Sequence, residues 1–322
     1  NNTIGALDAM GTASNSGSVT GINTSGGTTG IYNVTNNTIG NSTNPNLRMG
    51  TLTTAGNLSN TGTTFGIATG SGIFKGILNN STGSVTIGPN TIRNASVNSS
   101  SNQAAFRGIE HTSGAGGTYN ITNNTITNIT TASTNVNLSP FGTNMITGAG
   151  ILLNGNTAGT SVTQNTISLL SLTNTTTNGT NLAGIGIAQG NLTSVSRNVI
   201  YDLSNASTST SATLPGSVSG IFTRSGNSSA QSFFNNMITL GNAQTTNTCF
   251  VGIWGNLSQT NDPSVVNVYY NSIYITGTAT SGAQPSFGFL RGDLSGTAKN
   301  IPVDIRNNIF NNDRTGGTGS HY

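Results

Sequence analysis

The apolar positions of this chain recur in a fixed relation to one asparagine. The phrase Asn-Thr-Ile, or a close relative, returns along the whole length, with its asparagine at Asn2, Asn37, Asn90, Asn124, Asn165, Asn198, Asn236, Asn271 and Asn308. The intervals run from 33 to 53 residues, most of them near 35. Two residues after each anchor stands a large apolar side chain: Ile4, Ile39, Ile92, Ile126, Ile167, Ile200, Ile238, Ile273 and Phe310. Three residues before it, from Asn37 onward, stands another: Val34, Ile87, Ile121, Val162, Val195, Phe233, Val268 and Ile305. A second signature lies 14 to 20 residues upstream of most anchors, a glycine followed by a large apolar residue. It reads Gly21-Ile22, Gly76-Ile77, Gly108-Ile109, Gly150-Ile151, Gly184-Ile185, Gly220-Ile221, Gly252-Ile253 and Gly288-Phe289. Gly66-Ile67 is an extra match inside the 53-residue interval, which holds either an insertion or a degenerate additional turn.

Short β-branched runs, alternation over a few residues and frequent Gly/Asn breakers predict short strands joined by turns, with no helical stripe. A unit of this size cannot bury its own apolar face, but stacked copies can. The expected architecture is therefore all-β, a β-solenoid of about nine coils with long Ser/Thr/Asn-rich loops, forming a single domain over residues 1–322. Strands stacked about 4.8 Å apart would make a rod roughly 40 Å long.

The apolar residues before and after the anchor have opposite parity, so a regular strand could not turn both inward. A bend just before the anchor removes the conflict and puts the asparagine and the following Ile on the same inward face. The amides would then stack from coil to coil, each donating to one neighbour and accepting from the other. Asparagine also tolerates left-handed backbone, which is expected at the second residue of Asn36-Asn37, Asn123-Asn124, Asn235-Asn236 and Asn307-Asn308.

Gly-Ile pairs followed by segments such as Ile121-Thr122-Asn123-Asn124-Thr125-Ile126 resemble the right-handed parallel β-helix repeats of the pectate-lyase-like superfamily, over nearly the whole chain. In composition the chain is similar to Asn/Thr/Gly-rich secreted surface proteins of Bacteroidetes-type bacteria. The resemblance implies right-handed coiling and a secreted, extracellular or cell-surface location. Its members include lyases, hydrolases, adhesins and stalks, so it does not choose among activities.

Composition narrows the function. Asn and Thr make up roughly a third of the chain, 44 residues are Gly, and only 5% are charged. With 33% hydrophobic residues at regular places, the chain is a packed repeat rather than a disordered linker. Its net charge of +3 has no basic cluster behind it, so phosphate-directed nucleic-acid binding is not expected. No apolar run reaches the length of a membrane span. Cys249 is the sole cysteine, which excludes an internal disulfide or a cysteine-rich zinc site. It shares parity with Val251 and Ile253 and is expected to be a small inward hydrophobe.

Catalytic candidates are few. A polysaccharide hydrolase needs two carboxylates flanking one bond, and the acids are Asp8, Glu110, Asp202, Asp262, Asp293, Asp304 and Asp313. Glu110 and Asp202 fall on different faces two coils apart, Asp304 sits in an outward polar column with Asn33, Asn120 and Asn267, and Asp293 pairs most simply with Arg291. No acidic cluster is present to hold calcium. The histidines are His111 and His321, and adjacent Glu110 and His111 point to opposite faces of a strand. No catalytic residue, cofactor or metal is expected.

Binding candidates lie late in the chain, where outward columns change from threonine to aromatic and aliphatic residues. Phe222, Trp254 and Leu290 form one apolar ladder; Phe234, Tyr269 and Arg306 form another. Flat rings on a rigid sheet could stack on sugar faces, unless the long segments 205–219 and 256–264 fold over them. The chain begins inside a repeat and stops soon after the last anchor, as expected of a segment of a longer protein. Its expected partners are adjacent repeats or neighbouring subunits at the solenoid ends, and a glycan or cell-surface component. The leading expectation is a non-catalytic structural or adhesive segment acting as a rigid spacer; the alternative is a carbohydrate-active β-helix that binds or degrades polysaccharide.

Overall fold

The computed structural model describes residues 2–5, 7–11, 17–27, 30–42, 47–52, 65–66, 72–100, 104–114, 116–134, 146–155, 159–189, 193–211, 215–224, 230–255, 265–292, 294 and 302–322. They contain strands, turns and bends and no helix. The strands fall into three long parallel sheets visited in rotation, one strand per sheet per turn. We call them the anchor sheet (for example Thr166–Leu172), the glycine sheet (Asn181–Gln189) and the third sheet (Thr193–Ser196). The chain is a parallel β-solenoid.

The repeat positions align coil on coil. In the anchor sheet Ile126 pairs with Ile167 and Ile167 with Ile200; in the third sheet Ile121 pairs with Val162 and Val162 with Val195. The anchor sheet is nine strands deep along its path, and the other two are eight deep. A turn needs one strand in each sheet, so there are fewer complete turns than the nine expected from the anchors. The 53-residue interval is a single coil, because Asn37 pairs directly with Asn90. Its extra length includes the strand Phe65–Gly66, which runs antiparallel to Leu47–Leu52. Gly66 therefore lies outside the glycine column.

Each apolar column lines one continuous interior that includes Val162, Ile167, Ile185 and Val195, all fully buried. Burying one such side chain stabilises by roughly 2 kcal/mol. The parity conflict is resolved as expected, by a bend between the two apolar positions. The left-handed residue, however, is the one before the anchor and not the anchor itself: Asn36, Asn123, Gln164, Arg197, Asn235, Tyr270 and Asn307 have φ of 55–59°. The physical reason is direction. The anchor must already be in strand geometry to aim its amide inward, so the reversal falls on its predecessor, the first Asn of each pair. A second left-handed bend sits four residues after the anchor, at Asn94, Asn128, Leu169 and Asp202.

The glycine column has a steric cause. A Cβ on Gly150 would lie 2.6 Å from Ile167 Cγ2 and 2.7 Å from the Gly184 carbonyl oxygen, and Gly184, Gly220 and Gly252 meet the same two obstacles. The two sequence signatures are thus the two halves of one contact, glycine backbone against the Ile that follows the anchor. The strand also breaks its alternation at this glycine. Val251 and Cys249 consequently face outward into a second apolar cluster, whereas Ile253 faces the core. Cys249 is fully buried as expected, but on the outer side of the glycine sheet.

Candidate functional site: an exposed aromatic corner

The polar groups that could do chemistry are mostly committed to structure. The anchor asparagines form an unbroken ladder. Asn2 Nδ2 donates to Asn37 Oδ1, and the relay continues through Asn90, Asn124, Asn165, Asn198, Asn236 and Asn271 to Asn308, at 2.9–3.0 Å per step. The backbone N–H of Asn165 also donates to Asn198 Oδ1 at 3.0 Å, and Asn165 Nδ2 also donates to the Ile121 carbonyl at 3.0 Å. The buried amide is satisfied on every side.

Glu110 and His111 diverge as alternation requires. Glu110 lies on the outer side of the glycine sheet and forms an ion pair with Lys75 at 2.7 Å. Beside it, the buried Arg107 donates to the carbonyls of Phe106 (2.7 Å), Thr147 (3.0 Å) and Ile146 (2.6 Å), pinning the segment that leads into the next strand. Burial pulls the Arg107 pKa down, with the Glu110 charge opposing. His111 faces the interior, where Asn79 Nδ2 lies 2.9 Å from its Nδ1 and the Tyr119 ring stands 4.1 Å away. Burial lowers its pKa to about 4. Asp202 occupies a left-handed bend and accepts a hydrogen bond from Asn242. Ser286 Oγ lies 2.8 Å from His321 Nδ1, but Ser286 is fully buried and no substrate carbonyl can approach it. Burial pushes the Cys249 thiol up to about 12, with Arg314 opposing, which keeps it protonated. Among the described residues no three or more His, Cys, Asp or Glu side chains come together as a metal site. Asp262 and Asp293, and with the latter its expected pairing to Arg291, lie outside the described residues, as does the segment 256–264.

Phe222, Trp254 and Leu290 are in register on the outer face of the glycine sheet. They do not form an exposed ladder. Phe222 is 5% and Trp254 7% exposed, packed edge to face at 5.4 Å within the outer apolar cluster of Ile146, Leu152, Val251 and others. The indole N–H donates to the Gly292 carbonyl at 2.7 Å. Neither ring presents a face to solvent, because this side of the sheet carries its own apolar cluster.

Phe234, Tyr269 and Arg306 are likewise in register, on the outer face of the third sheet. Phe234 and Tyr269 are half-buried and Arg306 is exposed. Tyr269 Oη donates to Asp304 at 2.7 Å, and Arg306 forms a 2.6 Å ion pair with the same carboxylate while standing 5.9 Å over the Tyr269 ring. The Arg306 hydrogen bond, then that of Tyr269, holds the Asp304 pKa down; the bond to Asp304 raises that of Tyr269.

Around the bend, the anchor sheet turns a set of uncharged side chains to solvent. Buried Ile200, Ile238 and Ile273 force their neighbours outward. The exposed neighbours are Val199 and Tyr201 (each 37% exposed), Met237 (60%) and Tyr274 (39%); Ile309 (68%) continues the Met237 column, and Tyr270 (59%) stands at the bend itself. With Phe234 and Tyr269 they form one aromatic and aliphatic corner, the largest exposed concentration of such side chains among the described residues. Val199, Met237 and Ile309 belong to the late outward columns in which aromatic and aliphatic residues replace threonine, whereas Tyr201, Tyr270 and Tyr274 are not among the binding candidates of the sequence. The signal for Tyr201 and Tyr274 was their position next but one to Val199 and Ser272, across an Ile that must face inward. No protein-family model, curated protein or solved structure matches the chain.

Proposed function

We propose that the chain is a non-catalytic structural and adhesive segment of a secreted bacterial cell-surface or extracellular-matrix protein, a rigid spacer that presents the aromatic corner to a partner. The observation that carries this reading is the asparagine ladder, which joins coil to coil through side-chain hydrogen bonds that are buried at every step but the first and the last. The occupied state of the described carboxylates supports it as well, since Glu110, Asp202 and Asp304 each have a structural partner. A mostly uncharged surface suits a coat that few proteases cut and that charged surfaces do not hold. The proposed relationship is to right-handed β-helices of the pectate-lyase-like kind and to Asn/Thr/Gly-rich Bacteroidetes-type surface proteins. Among the described residues no helix is long and apolar enough to cross a membrane. Proposed partners are adjacent repeats or subunits along the solenoid axis and a component of a cell surface.

The test is to offer the purified chain a panel of polysaccharides and, separately, whole cell surfaces. Surface retention without release of sugar ends is the expected result. Turnover that disappears in Glu110→Gln or Asp202→Asn would establish the carbohydrate-active reading instead.

A further inference from the structure

The bend that buries each anchor leaves a furrow on its outer side. The residues one before and one after the anchor both turn outward, so the anchor backbone lies bare between two rows of side chains. In the early coils the rows are Asn36, Pro89 and Asn123 on the bend and Thr38, Thr91 and Thr125 on the anchor sheet, with Asn37 and Asn90 as the floor. They bound a groove of about 450 Å³, within the size range of small-ligand sites. From Arg197 and Val199 onward the same rows become charged or apolar.

The polar groups of this groove are unused. The amides of Asn36 and Asn123 and the hydroxyls of Thr38, Thr91 and Thr125 have no hydrogen-bond partner among the described residues. Elsewhere on the same sheet outward hydroxyls satisfy one another, as Thr127 does with Ser168 at 3.0 Å and Ser171 with Ser204 at 2.9 Å. No lining residue is charged or aromatic. Hydroxyl and amide groups both donate and accept, so a ligand that does both can engage every one of them. An anion only accepts and would find no positive charge in the lining. An apolar ligand would strip water from these groups and replace none of its hydrogen bonds.

Spacing narrows the class further. The three threonines are in register on successive coils, about 4.8 Å apart, and the two amides stand two coils apart, about 9.6 Å. A pyranose chain with equatorial linkages advances by nearly one coil spacing per sugar, whereas an extended peptide presents the same face only about every 6.7 Å. The exposed Pro89 ring, on the coil between the two amides, offers an apolar seat for the C–H face of a central sugar.

Independently of the aromatic corner, we propose that this groove binds an uncharged, extended oligosaccharide laid along the solenoid axis, one sugar per coil. Thr38, Thr91 and Thr125 exchange hydrogen bonds with successive sugars, and Asn36 and Asn123 hold the two outer ones. No carboxylate lines the groove, so the bound chain is held and not cleaved.

The experiment titrates the full chain with a six-residue β-1,4-linked glucan, an oligogalacturonate of equal length and a Gly-Ser peptide, read by ligand-observed NMR. Saturable binding of the glucan alone is expected, weakened about fivefold in Thr91→Val and by a similar factor in Asn123→Gly. Glycine keeps the left-handed backbone at position 123, where φ is 56°, while removing the amide. Thr239→Val, on a late coil of the same sheet, is the unaffected control, and equal melting temperatures verify that each variant is folded. Absence of glucan binding, binding undiminished in either groove variant, or preference for the oligogalacturonate or the peptide overturns the inference. Failure of the adhesive reading is separately visible as loss of retention on whole cell surfaces, whether or not the glucan binds.

Discussion

Each rung of the asparagine ladder serves two neighbours at once, so the cost of losing one is set by what is left behind. Without the Asn165 amide, the Asn124 backbone N–H and Nδ2 lose their shared acceptor and the Ile121 carbonyl loses a donor, all in a dry interior. Asn165→Ala should destabilise by about 3 kcal/mol, the penalty of orphaned buried polar groups. Asn2→Ala, at an exposed rung, should cost a small fraction of that, and urea denaturation of the two variants makes the comparison. His111 makes the stability sensitive to acid. Its folded pKa, lowered from 6.5 to about 4, means that the unfolded chain takes up the proton first. Its contribution is fully present above pH 6.5 and declines as pH falls toward 4, amounting to on the order of 3 kcal/mol. Stability measured at pH 7.5 and pH 4.5 should therefore fall more in the wild type than in His111→Leu. An equal fall in both would show that His111 is not the group responsible.

Strands of two to nine residues are too short to stand alone, and their pairing is fixed by features at their ends and middles. Left-handed residues close every third-sheet strand except Ser84–Ile87, and glycines interrupt each glycine-sheet strand where the Ile or Phe after the anchor presses on the backbone. Gly150→Ala should cost about 2 kcal/mol or more, because the clash is with backbone and a branched core side chain and neither yields easily. A lowered thermal midpoint, with the β-type circular dichroism retained, is the expected readout. A neutral substitution would mean that the adjacent coils can slide apart. The glycine also explains an error in reading parity: Cys249 and Ile253 are four apart in sequence yet face different clusters, because the interruption at Gly252 shifts the alternation by one.

At the scale of the whole molecule, every inner coil presents the same ladder and the same columns, so coils are exchangeable. Deleting residues 165–197, one complete 33-residue repeat, should bring Asn198 opposite Asn124 and leave a shorter, folded and somewhat less stable solenoid. Loss of the sheet signal on deletion would show instead that one coil nucleates the rest. Much of this architecture was legible in the chain itself. The recurrence of Asn165 with Val162 and Ile167 requires a bend and a shared inward face, and a unit too small to bury that face requires stacking. These are local constraints of covalent geometry and parity. What lay beyond the sequence depends on which surfaces meet across coils and across sheets. Trp254 and Tyr269 read alike as outward aromatics, yet the outer side of the glycine sheet carries a second apolar cluster that encloses Trp254, while the third sheet leaves Tyr269 only half-buried. Except across the glycine of each glycine-sheet strand, periodicity dictated which residues turn away from the core; only the packing of the finished coil decided which of those meet water.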